Sequence, residues 1–167
     1  IVPLALLAGV RLLREPPVAV PSVLEFEIAT PPTDASSLAL SPDGRQMVFV
    51  ANRNRRPMLW LRTLDRVANR PLPGTEGASL PFWSPDGKRI VYYFEKGDGH
   101  DQVWLTDANG SFHSNLTKDT ATHNYFPSWI DDKTIIYTRS PGELMMMQDD
   151  GTNSQKIEGV NATPVKY

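Results

Sequence analysis

Three histidines, His100, His113 and His123, lie near the carboxylates Asp98, Asp101 and Asp119. Such a set could ligate a metal or pass a proton. The histidine separations of 13 and 10 residues match no metal-ligand motif, so loop and strand-edge histidines are the expectation, and no metal or cofactor is expected. Asp107-Ala-Asn-Gly110 and Asp149-Asp-Gly151 resemble pieces of a calcium loop, but the full spacing and its terminal Glu are missing. Turn chemistry accounts for both. Asp43 and Asp86 recur in the same context, each just before a glycine. That position favours a carboxylate bonded to local backbone N–H groups over a catalytic one. The sequence contains no Gly-x-Ser-x-Gly elbow, phosphate-binding loop, dinucleotide fingerprint or His-Glu-x-x-His pair, so no catalytic residue is assigned.

Two further groups could carry recognition. Trp60, Trp83, Trp104 and Trp129 could stack on sugars, but their place inside strand patterns points first to a core between sheets. Arg53-Asn-Arg-Arg56 is the densest charge cluster. It reads either as a solvated hairpin tip or as a contact for an acidic partner. Met145 to Met147 reads as strand filler.

Composition narrows the class. The 167 residues carry 17 Lys and Arg against 19 Asp and Glu, a net charge of −2, which excludes a strongly basic nucleic-acid binder. Zero cysteines exclude a disulfide scaffold, a thiolate metal site and a cysteine nucleophile. Fifteen prolines argue against long helices and for short strands with turns.

The elements that must position these residues repeat. Leu40-Ser-Pro-Asp-Gly-Arg-Gln-Met-Val-Phe-Val50 recurs as Trp83-Ser-Pro-Asp-Gly-Lys-Arg-Ile-Val-Tyr-Tyr93, with Ser41 and Ser84 43 residues apart. A third copy, Trp129-Ile-Asp-Asp-Lys-Thr-Ile-Ile-Tyr137, lacks Ser-Pro-Asp-Gly and is one residue shorter in its first turn. Downstream, Met58 to Leu64 parallels Gln102 to Ala108, and Glu143 to Gly151 is the third version. Each copy reads as four strands joined by Asp-Gly and Asn-Gly turns; in the second they are Leu80–Ser84, Arg89–Phe94, Gln102–Asp107 and Phe112–Thr117. The second strands are near-continuously apolar, as expected where both faces are covered by neighbouring sheets. A period near 44 residues with four short strands is the pattern of a β-propeller blade.

On Ser41-Pro42-Asp43-Gly44 and Ser84-Pro85-Asp86-Gly87, each followed by two residues and an apolar strand, and on Val103-Trp-Leu-Thr-Asp-Ala-Asn-Gly110 with Asn115-Leu-Thr117, the chain resembles the TolB-like, WD-related propeller repeat over roughly residues 34–159. The resemblance implies an all-β fold: about three four-stranded antiparallel blades forming an incomplete ring, over 34–79, 80–124 and 125–162, with 163–167 beginning a further blade or a tail. Such a set is expected either to belong to a longer protein or to complete its ring by self-association. Residues 1–14 read as a short apolar helix, the remnant of a membrane or signal anchor, and residues 15–33 as a proline-rich spacer with a leading strand at Val23–Ile28. That order resembles the start of the ectodomain in bacterial membrane-anchored serine/threonine kinases or winged-helix regulators carrying such propellers. It implies a non-enzymatic, extracytoplasmic interaction or sensor module that binds a protein or a small ligand. The alternative is the propeller part of a dipeptidyl-peptidase or prolyl-oligopeptidase-like serine hydrolase.

In such a fold, loops joining second to third strands share one rim with loops joining successive blades. These are Ala51–Pro57, Glu95–Asp101, Ser140–Gly142, Gly74–Ser79 and Lys118–Asn124. They vary between copies, whereas the Asp-Gly turns of the opposite rim serve the fold. Arg53, Arg55, Arg56, His100, Asp101, Lys118 and His123 are therefore the expected partner contacts. Trp83 and Trp104 are expected to be largely buried between sheets.

Overall fold

The structure is a computed structural model, and it describes residues 37–95, 99–118 and 121–161. The expected anchor helix, spacer, leading strand and 163–167 segment lie outside the described residues, as do Asp98 and Asp119. Among the described residues there are twelve strands and no helix.

The strands form three four-stranded antiparallel sheets, each a meander in chain order. The first holds β1 (Leu38–Leu40), β2 (Gln46–Arg53), β3 (Arg56–Thr63) and β4 (Asn69–Pro71). The second holds β5 (Ser79–Trp83), β6 (Arg89–Glu95), β7 (Asp101–Asp107) and β8 (His113–Asn115). In the third are β9 (Asn124–Trp129), β10 (Thr134–Arg139), β11 (Glu143–Gln148) and β12 (Gln155–Asn161). Each meander has its sequence cause in the turns. Ser41 Oγ donates to Asp43 Oδ1 at 2.6 Å, Arg45 N–H to the same oxygen at 3.0 Å, and Gln46 N–H to Ser41 Oγ at 2.9 Å. The second copy repeats this at Ser84, Asp86, Lys88 and Arg89 with distances of 2.6, 3.1 and 2.9 Å. Gly44 and Gly87 close the turns at φ of 67° and 69°, a backbone that glycine adopts without a steric penalty.

The third turn is built by other means. Asp131 Oδ1 accepts from Lys133 N–H at 2.8 Å and Thr134 N–H at 2.7 Å, and Thr134 Oγ1 donates to Asp131 Oδ2 at 3.1 Å. A threonine one residue after the turn thus does the work of the missing serine, and the hairpin survives the lost residue.

Alternation along the strands places two cores between sheets, and a third cluster of Met47, Phe49 and Ala51 on the other face of the first sheet. Val48, Val50, Leu59, Leu61 and Leu72 meet Trp83, Ile90 and Tyr92 between the first two sheets. Val91, Val103, Leu105 and Leu116 meet Ile135, Tyr137, Met145 and Met147 between the second and third. Burying each such side chain fully stabilises by about 1.5–3 kcal/mol. Tryptophans tie the innermost strands: Trp83 Nε1–H donates to Ala39 O at 3.1 Å, and Trp129 Nε1–H to Phe82 O at 3.3 Å. One indole per junction therefore anchors each first strand to the one before it.

Three expectations are corrected. Trp104 is only half-buried. Its ring packs on Phe94 at 4.9 Å along the margin of the first core, whose centre Trp83, Tyr92 and Leu59 already fill. The fourth strand of the second sheet is His113–Asn115, not Phe112–Thr117. At its end the Thr117 side chain replaces a backbone acceptor, taking the Val103 N–H at 3.2 Å. The loop expected over Ala51–Pro57 shrinks to Asn54-Arg55, because β2 and β3 stay paired out to Arg53 and Arg56.

Candidate functional site

Loops on the rim opposite the Asp-Gly turns bring some of the expected contact residues together. Asp101 opens β7 and His123 immediately precedes β9. His123 Nδ1 lies 3.2 Å from Asp101 Oδ2, and the His100 ring stands 5.0 Å from that of His123, tilted by 46°. All three residues are partly exposed. Beneath them a polar network is locked. Thr117 Oγ1 donates to Gln102 Oε1 at 2.5 Å, Gln102 Nε2 donates to Thr122 O at 3.1 Å, and Asn124 Nδ2 donates to Thr122 O at 3.2 Å. Gln102 and Asn124 are buried, so the histidines rest on a fixed polar floor between the second and third sheets. Among the described residues no group of three or more His, Cys, Asp or Glu side chains is placed to hold a metal.

Lys118 is exposed just beyond β8, with its backbone N–H bonded to Asn115 Oδ1 at 3.1 Å and its φ at 50°. Arg53, Arg55 and Arg56 form the exposed tip of the β2–β3 hairpin on the first sheet. Asn54 and Arg55 have φ of 54° and 64°, the two-residue turn with both central residues left-handed. Glycine is the usual second residue there; an arginine accepts strain. Arg53 and Arg56 face each other across the closing pair, a like-charge contact that opposes the hairpin.

The turn rim is chemically different. The Ser41 hydroxyl and Arg45 N–H hold the Asp43 carboxyl below its usual value. Burial pulls Asp86 upward, but the Ser84 hydroxyl, Lys88 N–H and Arg89 more than offset it, leaving that carboxyl low as well. Lys133 N–H and the Thr134 hydroxyl do the same for Asp131. Arg89 spans the second and third sheets: it pairs with Asp149, donates to Asp132 O at 2.5 Å and lies 5.1 Å over the Trp129 ring. Arg70 bridges the first and second sheets through Ala108 O at 2.6 Å and Asn109 O at 3.2 Å. Sequence reasoning missed both bridges, since their partners lie 60 and about 40 residues away in the chain.

Repeated four-stranded meanders, stacked through alternate faces, are the blades of a β-propeller. Their fold is TolB-like: the putative TolB of Agrobacterium tumefaciens superposes with a TM-score of 0.62 at 22% identity, covering 74% of this chain and 50% of that one. In sequence, the Tol-Pal system protein TolB of Anaeromyxobacter dehalogenans is 37% identical over 93 residues, 56% of this chain and 21% of the relative. The lasso peptide isopeptidase AtxE2 of Asticcacaulis excentricus is 28% identical over 77% of this chain and 23% of its own length. The chain thus spans about a fifth of the length of the curated relatives it matches. No family model matches it.

Proposed function

We infer that the chain is a non-enzymatic β-propeller interaction module that binds an acidic protein segment on its loop rim. One observation carries this: the β2–β3 tip places three arginines at a turn that would be more stable without them. Strain and like-charge repulsion retained at an exposed tip fit recognition better than folding. Attraction there would be polar and sensitive to salt. The His100–Asp101–His123 cluster, on the same rim, would extend the contact toward the third sheet. The apolar segment 1–14 and the proline-rich spacer support tethering at a membrane with the blades outside the cytoplasm, in a sensor role.

Charge reversal tests the reading. Arg55→Glu with Arg56→Glu should weaken binding of a fluorescein-labelled hexaglutamate probe by about tenfold or more without lowering the unfolding midpoint, since Glu at 56 replaces the like-charge contact with Arg53 by an attractive one. Unchanged affinity, or a loss produced instead by Lys88→Glu on the turn rim, would reject the face. The second reading, a propeller part of a peptide hydrolase, draws on the sequence likeness to AtxE2. A Gly-x-Ser-x-Gly segment downstream in the same reading frame would favour it.

A further inference from the structure

The outer face of the first sheet is closed, yet no other sheet stands on it among the described residues. Met47, Phe49 and Ala51 point away from the second sheet, which Val48 and Val50 face. Met47 and Phe49 are nevertheless only 2% and 3% exposed, as buried as the cores between sheets. Trp60 and Leu64, themselves partly buried, pack against them. Leu38 and Leu40 lie on the same face, paired with Phe49 and Met47, and stand exposed. The cover therefore lies over β2 and β3 rather than over β1. Arg62 pairs with Met47 and shares that face. It is 9% exposed, and its buried Nε finds no acceptor among the described residues. A guanidinium enclosed in this way destabilises the fold until a carboxylate meets it.

A further blade does not suit this face. Trp83 and Trp129 each tie their sheet to the preceding one through an indole N–H. Leu40 holds the matching position, opposite Met47 as Trp83 is opposite Ile90 and Trp129 opposite Ile135, and it has no such donor. Arg62 likewise matches Thr106 and Met147, which share their faces with Ile90 and Ile135 against a preceding sheet. The free face of the third sheet would bring Ile136, Thr138, Leu144 and Met146 of a second copy, and its β10 and β11 residues include no carboxylate for Arg62.

We propose that Val23–Ile28 of the same chain docks as a strand across the outer face of the first sheet and pairs a glutamate with Arg62. This segment lies outside the described residues. Its sequence, Val-Leu-Glu-Phe-Glu-Ile, alternates Leu24, Phe26 and Ile28 with Glu25 and Glu27. Laid on the sheet, a strand of this pattern turns three apolar side chains onto Met47, Phe49 and Ala51. The Arg62 stem follows the apolar surface and carries its head to the carboxylate row at the strand margin. Charge-assisted bonds there satisfy the guanidinium. Eight residues separate Ile28 from Ser37. Extended, they reach about 25 Å, whereas the step from β1 to β3 is about 10 Å. The docked strand closes this face to a second copy and fixes the first blade against the chain that precedes it. It stands independently of the loop-rim binding proposed above.

The 167-residue chain has no cysteine, so Ser22→Cys gives a single site for a nitroxide label. In ¹⁵N spectra the label should broaden the amides of residues 47–51 and 58–62 and spare those of 134–148 in the third sheet. Phe26→Asp in the labelled chain should restore the sharp signals, because a carboxylate does not enter the apolar face. Glu25→Gln with Glu27→Gln should shift the Arg62 Nε–H resonance and speed its exchange with water. The labelled chain without a second change keeps every packed residue, so it decides the question even should Phe26→Asp fold poorly. Sharp signals at 47–51 in that chain, broadening that survives Phe26→Asp, or an Arg62 signal unmoved by the paired glutamine change would overturn the proposal.

Discussion

Replacing Trp83 with alanine tests how the first two sheets are held together. Trp83 is 7% exposed and packs among Val48, Val50, Leu59, Leu61 and Tyr92. Its indole N–H also donates across the junction to Ala39 O at 3.1 Å. Removing a buried aromatic of this size costs about 3–5 kcal/mol, cavity included. Leaving the Ala39 carbonyl without its donor adds about 1 kcal/mol. A domain is stable by only about 5–15 kcal/mol in total, so Trp83→Ala should bring the chain near the edge of folding. Trp83→Phe separates the two contributions, since it fills most of the space and loses the donor, and about 1–2 kcal/mol is expected. Trp104→Ala should cost less than Trp83→Ala, about 1.5–3 kcal/mol, because its ring is half-exposed at the core margin. Asp86→Ala, which removes local turn bonds, should cost about 0.5–2 kcal/mol. Urea melts followed by circular dichroism give the ranking. Trp104→Ala proving worse than Trp83→Ala, or Trp83→Phe as damaging as Trp83→Ala, would refute the reasoning.

Other outcomes follow from the turns. At Gly151, φ is 82° and an added Cβ would lie 2.6 Å from Leu116 O in the neighbouring sheet, so Gly151→Ala should unfold far more easily than Gly44→Ala, where nothing lies within 4 Å; thermal melts of the pair check this. Asp43, Asp86, Asp131 and Asp150 are all held below their usual values, so their contribution is present at neutral pH and is lost as pH falls through those lowered values. Stability should therefore be flat above about pH 5 and fall below about pH 4, with a shallower fall in Asp86→Asn; an unchanged slope in that variant would argue against the turn carboxylates. Arg55→Gly should raise stability by about 0.5–1 kcal/mol while weakening acidic-probe binding, since it relieves the left-handed strain and removes a charge.

Blade architecture was legible because turn chemistry is local. Asp-Gly after a proline marks a hairpin whatever lies around it, and the copies at Ser41 and Ser84 reported the period directly. The third copy shows the limit: Asp131 and Thr134 rebuild the turn with different residues, which pattern matching reads as decay. Burial of individual tryptophans was not legible, since Trp83 and Trp104 sit in similar strand contexts and only packing across sheets separates them. Leu80 and Phe126 hold φ of 45° and 54° at matching repeat positions, where β5 and β9 slip register. Bulky residues with left-handed backbone give no sequence signal. Of the expected contact residues, His100, Asp101 and His123 meet because the loops before β7 and β9 are neighbours in the blade order.

Hydrogen–deuterium exchange of the 167-residue chain, with and without saturating hexaglutamate, locates the binding face most directly. The loop-rim reading expects slowed exchange at residues 52–57 and at 100–101 and 121–124, with 41–46 and 84–88 unchanged. Protection confined to the Ser-Pro-Asp-Gly turns, or none on the loop rim at full occupancy, would contradict it.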